Sequence, residues 1–549
     1  MFADPDVTGR LNFLNADARG AIVGTKESYT VAEAAHQLTG GEPGWSSALG
    51  TAATITYGFR ATAPGTMPDD TTGFSQFNAA QIAQTELALA GWSDVANISF
   101  TRVGWGTSGE AAYTDQATIL LGNYSAGADT ASAFGYYPGS LSATSRAGDV
   151  WVNVTSGSNA SPAIGNYGAN VLIHELGHAI GIAHPGDYDS ETSPTYADDA
   201  VYYEDSRQFT VMSYFGEANT GAYFAGRYAA SPMLDDIAAA QSLYGANMGT
   251  RTGDTTYGFN SNAGRPWFEA ASAGAKLIFA VWDAGGNDTF DFSGYSNSQT
   301  IDLRPGFFSS VGGLTGNVAV AIGASVENAI GGAGADAING NEAANALTGA
   351  AGNDVIYGGV GGDTLSGGDG QDFLRGEEGD DSILGGAAFD DMHGNMGADT
   401  LYGGEGDDWV VGGKDNDLLH GETGADLIYG NMGDDILYGE AGADILRGGQ
   451  HNDLMYGGEG DDWLSGDREN DTIWGGSGAD SFHIWGDSGL DRVMDFNRAE
   501  GDRVLVSEGA TYTFAQVGAD VVINLSGGAQ MVLAGVSTAS LTEGWIVSI

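Results

Sequence analysis

The stretch His174-Glu175-Leu176-Gly177-His178-Ala179-Ile180-Gly181-Ile182-Ala183-His184 puts three histidines and a glutamate within eleven residues. On a helix, His174 and His178 share one face and can point both imidazoles at a single ion, with Glu175 beside them. His184 reaches the same point only if the chain turns sharply after the helix, and Gly181 supplies a residue that tolerates positive φ there. Three neutral imidazoles would leave a Zn²⁺ with an open position for water, and Glu175 is placed to take a proton from that water. Further on, Val211-Met212-Ser213-Tyr214 offers a methionine turn. Met212 would form an apolar floor beneath the imidazoles without binding metal. Taken alone, Met212 reads as ordinary core and Tyr214 as a packed aromatic.

The elements that must position these groups follow from local pattern. Thr30-Val31-Ala32-Glu33 reads as a capping box opening a helix, with Val31, Ala35 and Leu38 at helical spacing. Ala53-Thr54-Ile55-Thr56-Tyr57-Gly58-Phe59 alternates like a strand, and Phe77 to Trp92 carries a helical pattern. Strand-like runs follow at Ile98–Val103, Ala117–Leu121, Ala131–Tyr137 and Asp149–Val154. Strands around a long helix predict an α/β sheet with one edge facing a cleft. The helix bearing His174 begins near Tyr167–Asn170. Ser231-Pro232, a cap followed by proline, predicts a last helix ending near Gly245.

After Asn247 glycine rises and helical periodicity disappears. From Gly331 to His483 the chain is an unbroken nine-residue repeat, seventeen times over, with Gly at position 1 throughout and Asp at position 6 in all but Asn345. Position 8 is always apolar, from Ile338 and Leu347 to Ile473 and Phe482. Three columns held so long define a solenoid. Each Gly/Asp turn would converge carbonyls and carboxylates on a cation, and each short strand would turn one apolar residue inward. Two repeats per coil give roughly 8.5 coils and a length of about 40 Å. The segment carries 24 Asp and 8 Glu against 4 Lys or Arg. One core side chain per repeat is too little to overcome that repulsion, so the expected fold is Ca²⁺-dependent. Ala343, Ala388, Asp415, His451 and Glu469 replace the usual Gly at position 4, and Gly340–Thr348 lacks the Asp. Weaker ligation is expected at those turns. Beyond the repeats come Asp495-Phe496, strand-like runs at Tyr512–Phe514 and Val521–Leu525, and an apolar end, Trp545-Ile546-Val547-Ser548-Ile549.

Composition narrows the partners. Against 72 acidic residues stand 19 basic ones, a net charge of -53, which disfavours nucleic acid and anionic membranes. The surplus suits oxygen-liganded Ca²⁺, although plain solubility or halophilic adaptation would also account for it. The 549 residues contain no cysteine, so no disulfide or thiol chemistry is available. Met1 to Gly24 has no basic start followed by an apolar run, unlike a Sec signal peptide, and no stretch approaches a membrane span.

The HExxHxxGxxH spelling is that of the metzincin clan of zinc endopeptidases. Ser28-Tyr29-Thr30-Val31, Gly186-Asp187-Tyr188, Thr210–Tyr214, Leu234-Asp235-Asp236-Ile237-Ala238-Ala239 and Trp282–Gly294 narrow the resemblance. Over residues 26 to 500 the chain resembles the serralysins, secreted bacterial metzincins with a calcium-binding RTX β-roll. The resemblance implies one catalytic Zn²⁺ held by His174, His178 and His184, with Glu175 as general base. It makes Tyr214 a movable fifth ligand that swings off the metal to hydrogen-bond the tetrahedral intermediate. An extended substrate would lie along the edge strand near Ala131–Tyr137 with broad sequence tolerance. It also implies first Ca²⁺ sites from the carbonyls of Arg251, Gly253 and Thr255 with Asp283, Gly285, Gly286 and Asp288. Ser325 and Glu327 would bridge to Gly332, Gly334 and Asp336, stapling the catalytic domain to the roll. Further Ca²⁺ ions fall to the repeat aspartates Asp354, Asp363, Asp372, Asp381, Asp399, Asp408, Asp417, Asp426, Asp435, Asp444, Asp453, Asp462 and Asp471.

The expected organisation is multidomain. A leader or pro-segment (1–22) precedes an α/β metzincin catalytic domain (23–247). An all-β parallel β-roll, the RTX solenoid (248–483, strict repeats 331–483), leads into a C-terminal β region (484–549) with a type I secretion signal. Glu543-Gly544-Trp545-Ile546-Val547-Ser548-Ile549 matches that signal only loosely, and no cleavage site in the leader can be assigned. The expected partners are protein or peptide substrates, the type I secretion machinery and an inhibitor protein, with the chain a monomer outside the cell. Seventeen repeats exceed the family expectation and suggest an added role such as surface attachment. The competing reading is a surface-associated RTX adhesin or S-layer-related protein whose protease domain serves processing.

Overall fold

The computed structural model describes residues 16–104, 112–127, 131–142, 144–188, 193–486 and 488–549. They divide into two units, one of 16–291 with 302–326 and the other of 292–301 with 327–549. The stretches 248–291 and 302–326 thus belong to the unit that holds the histidines. The first fifteen residues of the expected leader lie outside the described residues.

In the first unit, Thr30 caps α1 (Val31–Thr39) through the reciprocal bond with Glu33, and Gly40 closes it in the left-handed conformation. Strand β1 (Ala53–Phe59) follows, then α2 (Ala79–Val95), capped by Asn78 with Gln81. Next come β2 (Ile98–Arg102), β3 (Ile119–Tyr124), β4 (Ala133–Gly135) and β5 (Val150–Asn153). The five strands form one sheet in the order β2-β1-β3-β5-β4. Only β4, at the edge, runs antiparallel to its neighbour. All six residues of β3 are buried, as expected of a parallel strand covered on both faces.

Helix α3 (Tyr167–Ile180) is buried at every residue from Gly168 to Ile180. A helix buried on all sides runs through a core, and the Trp92 indole of α2 donates to the Ile173 carbonyl at 3.2 Å. The last helix, α4 (Leu234–Tyr244), starts later than Ser231-Pro232 predicts. Its opening turn is closed instead by the Asp236 carboxylate, which accepts the Met233 N–H at 2.8 Å.

Arg19, inside the expected leader, is built into this unit. Its guanidinium donates to both carboxylate oxygens of Asp235 on α4, at 2.8 and 3.1 Å. The neighbouring Glu204 carboxylate accepts the Tyr29 N–H at 2.9 Å and the Ser28 hydroxyl. All three charged groups are buried.

In the second unit each repeat contributes a strand to one of two parallel sheets, alternating between them. Strands pair with those eighteen residues away, as Ile356 with Leu374 and Leu365 with Ile383. The position-8 residues form the interior, from Leu347 and Ile356 to Ile473 and Phe482, all essentially inaccessible to solvent. The glycine columns have a steric cause. A Cβ at Gly349 would collide with Asp354 Oδ2, and one at Gly442 would collide with the Gly424 carbonyl of the preceding coil. At position 4, where Gly442 has φ 157, the substituted residues Asp415, His451 and Glu469 adopt φ 72, 85 and 74. Past the repeats, strands Tyr512–Val517, Asp520–Leu525 and Gln530–Leu533 form an antiparallel end. Among the described residues no helix is long and apolar enough to cross a membrane. The architecture is the expected α/β region followed by a parallel β-solenoid.

Candidate metal centre

Asn166 caps α3 by accepting the Ala169 N–H at 3.0 Å, and Gly181 ends the helix at φ 104. The reversed chain is then tied to α1, where the Ala183 N–H reaches the Leu38 carbonyl at 2.6 Å and the Gln37 amide reaches the Pro185 carbonyl at 2.9 Å. That fastening brings His184 back over the helix. Its Nε2 stands 3.1 Å from His178 Nε2 and 3.2 Å from His174 Nε2. His174, His178 and His184 are the histidine and carboxylate group among the described residues whose ligand atoms converge as a metal site requires.

The tautomers follow from the outer hydrogen bonds. His174 Nδ1–H donates to the Val211 carbonyl and His178 Nδ1–H to the Ile182 carbonyl, both at 2.8 Å. A carbonyl only accepts, so each Nδ1 carries the proton and each Nε2 presents a lone pair inward. Burial lowers the His174 pKa to about 4. It holds His178 well below the usual histidine range, reinforced by the other two rings. Two bare Nε2 acceptors therefore converge on a third ring nitrogen that could donate to only one of them. A divalent cation satisfies all three, so the residues present fit a zinc ion.

Beneath the rings, Met212 is fully buried, and a Cβ at Gly177 would lie 2.5 Å from its Sδ. The methionine turn is pinned to α4 by Asp236, which accepts from Val211 N–H at 2.8 Å and Thr210 Oγ1 at 2.6 Å. Tyr214 is 38% exposed, and its ring centroid lies 4.5 Å from that of His184 and 5.9 Å from that of His174.

Glu175 is buried, and its Oε2 has no hydrogen-bond partner among the described residues. Burial raises its carboxyl to about 8. The edge strand passes so close that a Cβ at Gly135 would lie 2.7 Å from the Glu175 carbonyl and 3.3 Å from Oε2. Glu175, His174 and Tyr214 open onto a cleft of about 410 Å³ that is also lined by Ala131, Ser132 and Ala133 of the edge-strand segment.

The expected calcium ligands fall into two groups. In the first unit, Asp288 Oδ1 accepts the Thr255 N–H at 2.8 Å, and the Gly253 carbonyl accepts the Thr255 hydroxyl at 2.9 Å. Asp283 Oδ1 accepts the Gly285 N–H at 3.1 Å, while a Cβ at Gly286 would meet the Gly253 carbonyl at 2.7 Å. Gly253, Thr255, Asp283, Gly285, Gly286 and Asp288 thus come together. Arg251 turns its guanidinium to Asp94 at 3.0 Å. Ser325 is exposed in this unit, whereas Glu327, Gly332, Gly334 and Asp336 belong to the other.

Along the roll from Asp354 to Asp480, each position-6 carboxylate uses Oδ1 to accept the N–H of the residue eighteen positions earlier, as Asp372 does from Asp354 at 2.8 Å. Every such aspartate from Asp354 to Asp480 leaves its buried Oδ2 without a hydrogen-bond partner. Burial, opposed by the backbone bond and reinforced by carboxylates of adjacent coils, raises Asp390, Asp417 and Asp453 to about 8. Stacked, partnerless carboxylate oxygens fit hard divalent cations such as Ca²⁺. Asp336 differs, since its Oδ2 accepts the Gly332 N–H at 2.6 Å. So does Asn345, whose amide donates to the Glu327 carbonyl at 2.8 Å.

Asp390 and Asp480 belong with the predicted aspartates, and the column pattern alone suffices to include them. Asp491 is less legible. Its Oδ1 accepts the Asp471 N–H at 3.4 Å and its Oδ2 is likewise buried and partnerless, but the spacing there is twenty rather than eighteen.

Residues 246–532 match the family described as Peptidase M10 serralysin C terminal. The chain is 50% identical over 340 residues to serralysin G of Dickeya chrysanthemi, covering 60% of this chain and 69% of that protein. Serralysin C of the same organism is 50% identical over 320 residues, 58% of this chain and 65% of the relative. Metallopeptidase AprA of Pseudomonas marginalis is 47% identical over 330 residues, 59% and 67% of the two chains.

Proposed function

The chain belongs to the serralysin family and is a metalloendopeptidase, and we propose that it hydrolyses peptide bonds in proteins outside the cell, at a zinc ion held by His174, His178 and His184. The observation that carries this reading is the convergence of three Nε2 atoms beside the partnerless Oε2 of Glu175. When bound there, zinc would acidify a water molecule and polarise the scissile carbonyl.

The chain's own residues supply the rest. The edge strand β4 offers main-chain groups to an extended substrate, which suits broad sequence tolerance. Glu175, ionised in this role, takes the proton from the attacking water at its partnerless Oε2 and delivers it to the departing amide nitrogen. Tyr214, at the cleft beside His184, donates its phenolic hydrogen bond to the oxyanion of the tetrahedral intermediate. Val211 and Ile182 hold two imidazoles in the ligating tautomer through their carbonyls.

Calcium ions would neutralise the stacked aspartates of the roll and fold it after export. Further ions among Arg251, Gly253, Thr255, Asp283, Gly285, Gly286 and Asp288, and among Glu327, Gly332, Gly334 and Asp336, would fix the turns within each unit. Export by type I machinery through the C-terminal region, and monomeric action, belong to the same reading.

The test is proteolysis of casein by the calcium-loaded chain, before and after zinc removal by a chelator and after zinc return. Loss and recovery support the reading. Proteolysis that persists without zinc, or none with zinc restored, contradicts it.

A further inference from the structure

One buried carboxylate beside the metal centre has no part in the chemistry described above. Asp205, fully buried, accepts two hydroxyl hydrogens at the same oxygen, Oδ1, from Ser213 at 2.6 Å and from Tyr188 at 2.9 Å. The two donors come from different segments. Ser213 directly precedes Tyr214 in the methionine turn, and its oxygen also accepts the Phe215 N–H at 3.1 Å, so the backbone on both sides of Tyr214 is fixed through one hydroxyl. Tyr188 belongs to the loop after His184. Its ring stacks on His184 with centroids 5.6 Å apart and planes 15° from parallel, and stands 5.4 Å from the ring of Tyr214.

We infer that Asp205 is a positioning residue that straps the His184 loop to the Tyr214 turn and so sets the pivot from which the Tyr214 hydroxyl reaches the reaction intermediate. A carboxylate oxygen can take both donors at once. Without it, two buried hydroxyls lose their acceptor and the Tyr188 ring loses the bond that holds it between His184 and Tyr214. The ligands have their own supports: the Val211 and Ile182 carbonyls hold His174 and His178, and the Leu38 carbonyl and Gln37 amide fasten the chain on either side of His184. The deficit therefore falls on turnover rather than on metal retention. This inference rests on the role proposed for Tyr214.

A double-mutant cycle tests it on the full chain with calcium and zinc bound, using Asp205→Ala, Asp205→Asn, Tyr214→Phe and the D205A/Y214F pair. Zinc content, kcat and KM on a peptide substrate are measured well below the unfolding temperature. D205A is expected to retain its zinc, lower kcat about ten-fold or more and leave KM within about two-fold. D205N, which keeps an acceptor at Oδ1, recovers most of that loss. In the Y214F background, D205A costs less than about two-fold. Wild-type kcat in D205A, or an equal loss in both backgrounds, overturns the strap. Wild-type kcat in Y214F removes the premise, and the strap falls with it by a separable result. Should D205A not fold, Ser213→Ala and Tyr188→Phe each remove one of the two donors and carry the same cycle with the same deciding outcomes.

Discussion

Protons should stand in for the calcium proposed for the roll. With calcium dialysed away, the carboxyls of Asp390, Asp417 and Asp453 stand near 8 in the folded chain, chiefly because they are buried. An unfolded aspartate titrates near 4, so ionising each of these in the empty roll costs at most about 5 kcal/mol, reduced by solvent screening. The sign follows from proton binding. Between about pH 4 and pH 8 the folded roll holds more protons than the unfolded chain, so its stability falls as pH rises through that window. The calcium-free roll is therefore expected to be ordered at pH 5.5 and open at pH 8.5. With saturating calcium the same carboxylates are held ionised, and order persists at pH 8.5. Hydrogen exchange of the full chain, read on peptides from 354–480 and corrected for intrinsic rates, follows the roll separately from the rest. Equal protection at both pH values without calcium, or greater protection at pH 8.5, would refute the reasoning.

Arg19→Ala leaves Asp235 and Glu204 buried without their cation and should destabilise the histidine-bearing unit by about 3–5 kcal/mol, read as a lowered melting temperature. Unchanged melting would show that residue 19 is dispensable to the fold. Gly135→Val sets a Cβ 2.7 Å from the Glu175 carbonyl, which forces the edge strand away, and should reduce kcat/KM at least ten-fold with zinc retained. Full activity would place productive substrate elsewhere than along this strand.

The convergence of the three histidines and the solenoid were legible because they are local. The helical face of His174 and His178, the left-handed Gly181 and the nonapeptide columns depend on neighbours within one turn or one coil. What escaped depends on distance in sequence. Arg19 looks like leader until Asp235, far along the chain, is seen beside it. Asp205 carries no motif, since its partners Tyr188 and Ser213 meet it only in the fold. The carboxylate ladder continues past the last repeat through Asp491 and Asp502, but insertions stretch the spacing to twenty and twenty-two, which no fixed period detects. Ser231-Pro232 misplaces the start of α4 because a backbone-to-Asp236 bond substitutes for the Ser231 side chain.

In the proposed mechanism, three imidazoles hold the zinc while Glu175 moves the proton. Glu175→Gln separates these roles, because the amide keeps the shape of the side chain but cannot accept a proton. E175Q is expected to carry one zinc per chain, with peptide hydrolysis reduced about a thousand-fold or more. Hydrolysis near the wild-type rate by zinc-loaded E175Q would contradict this division of roles.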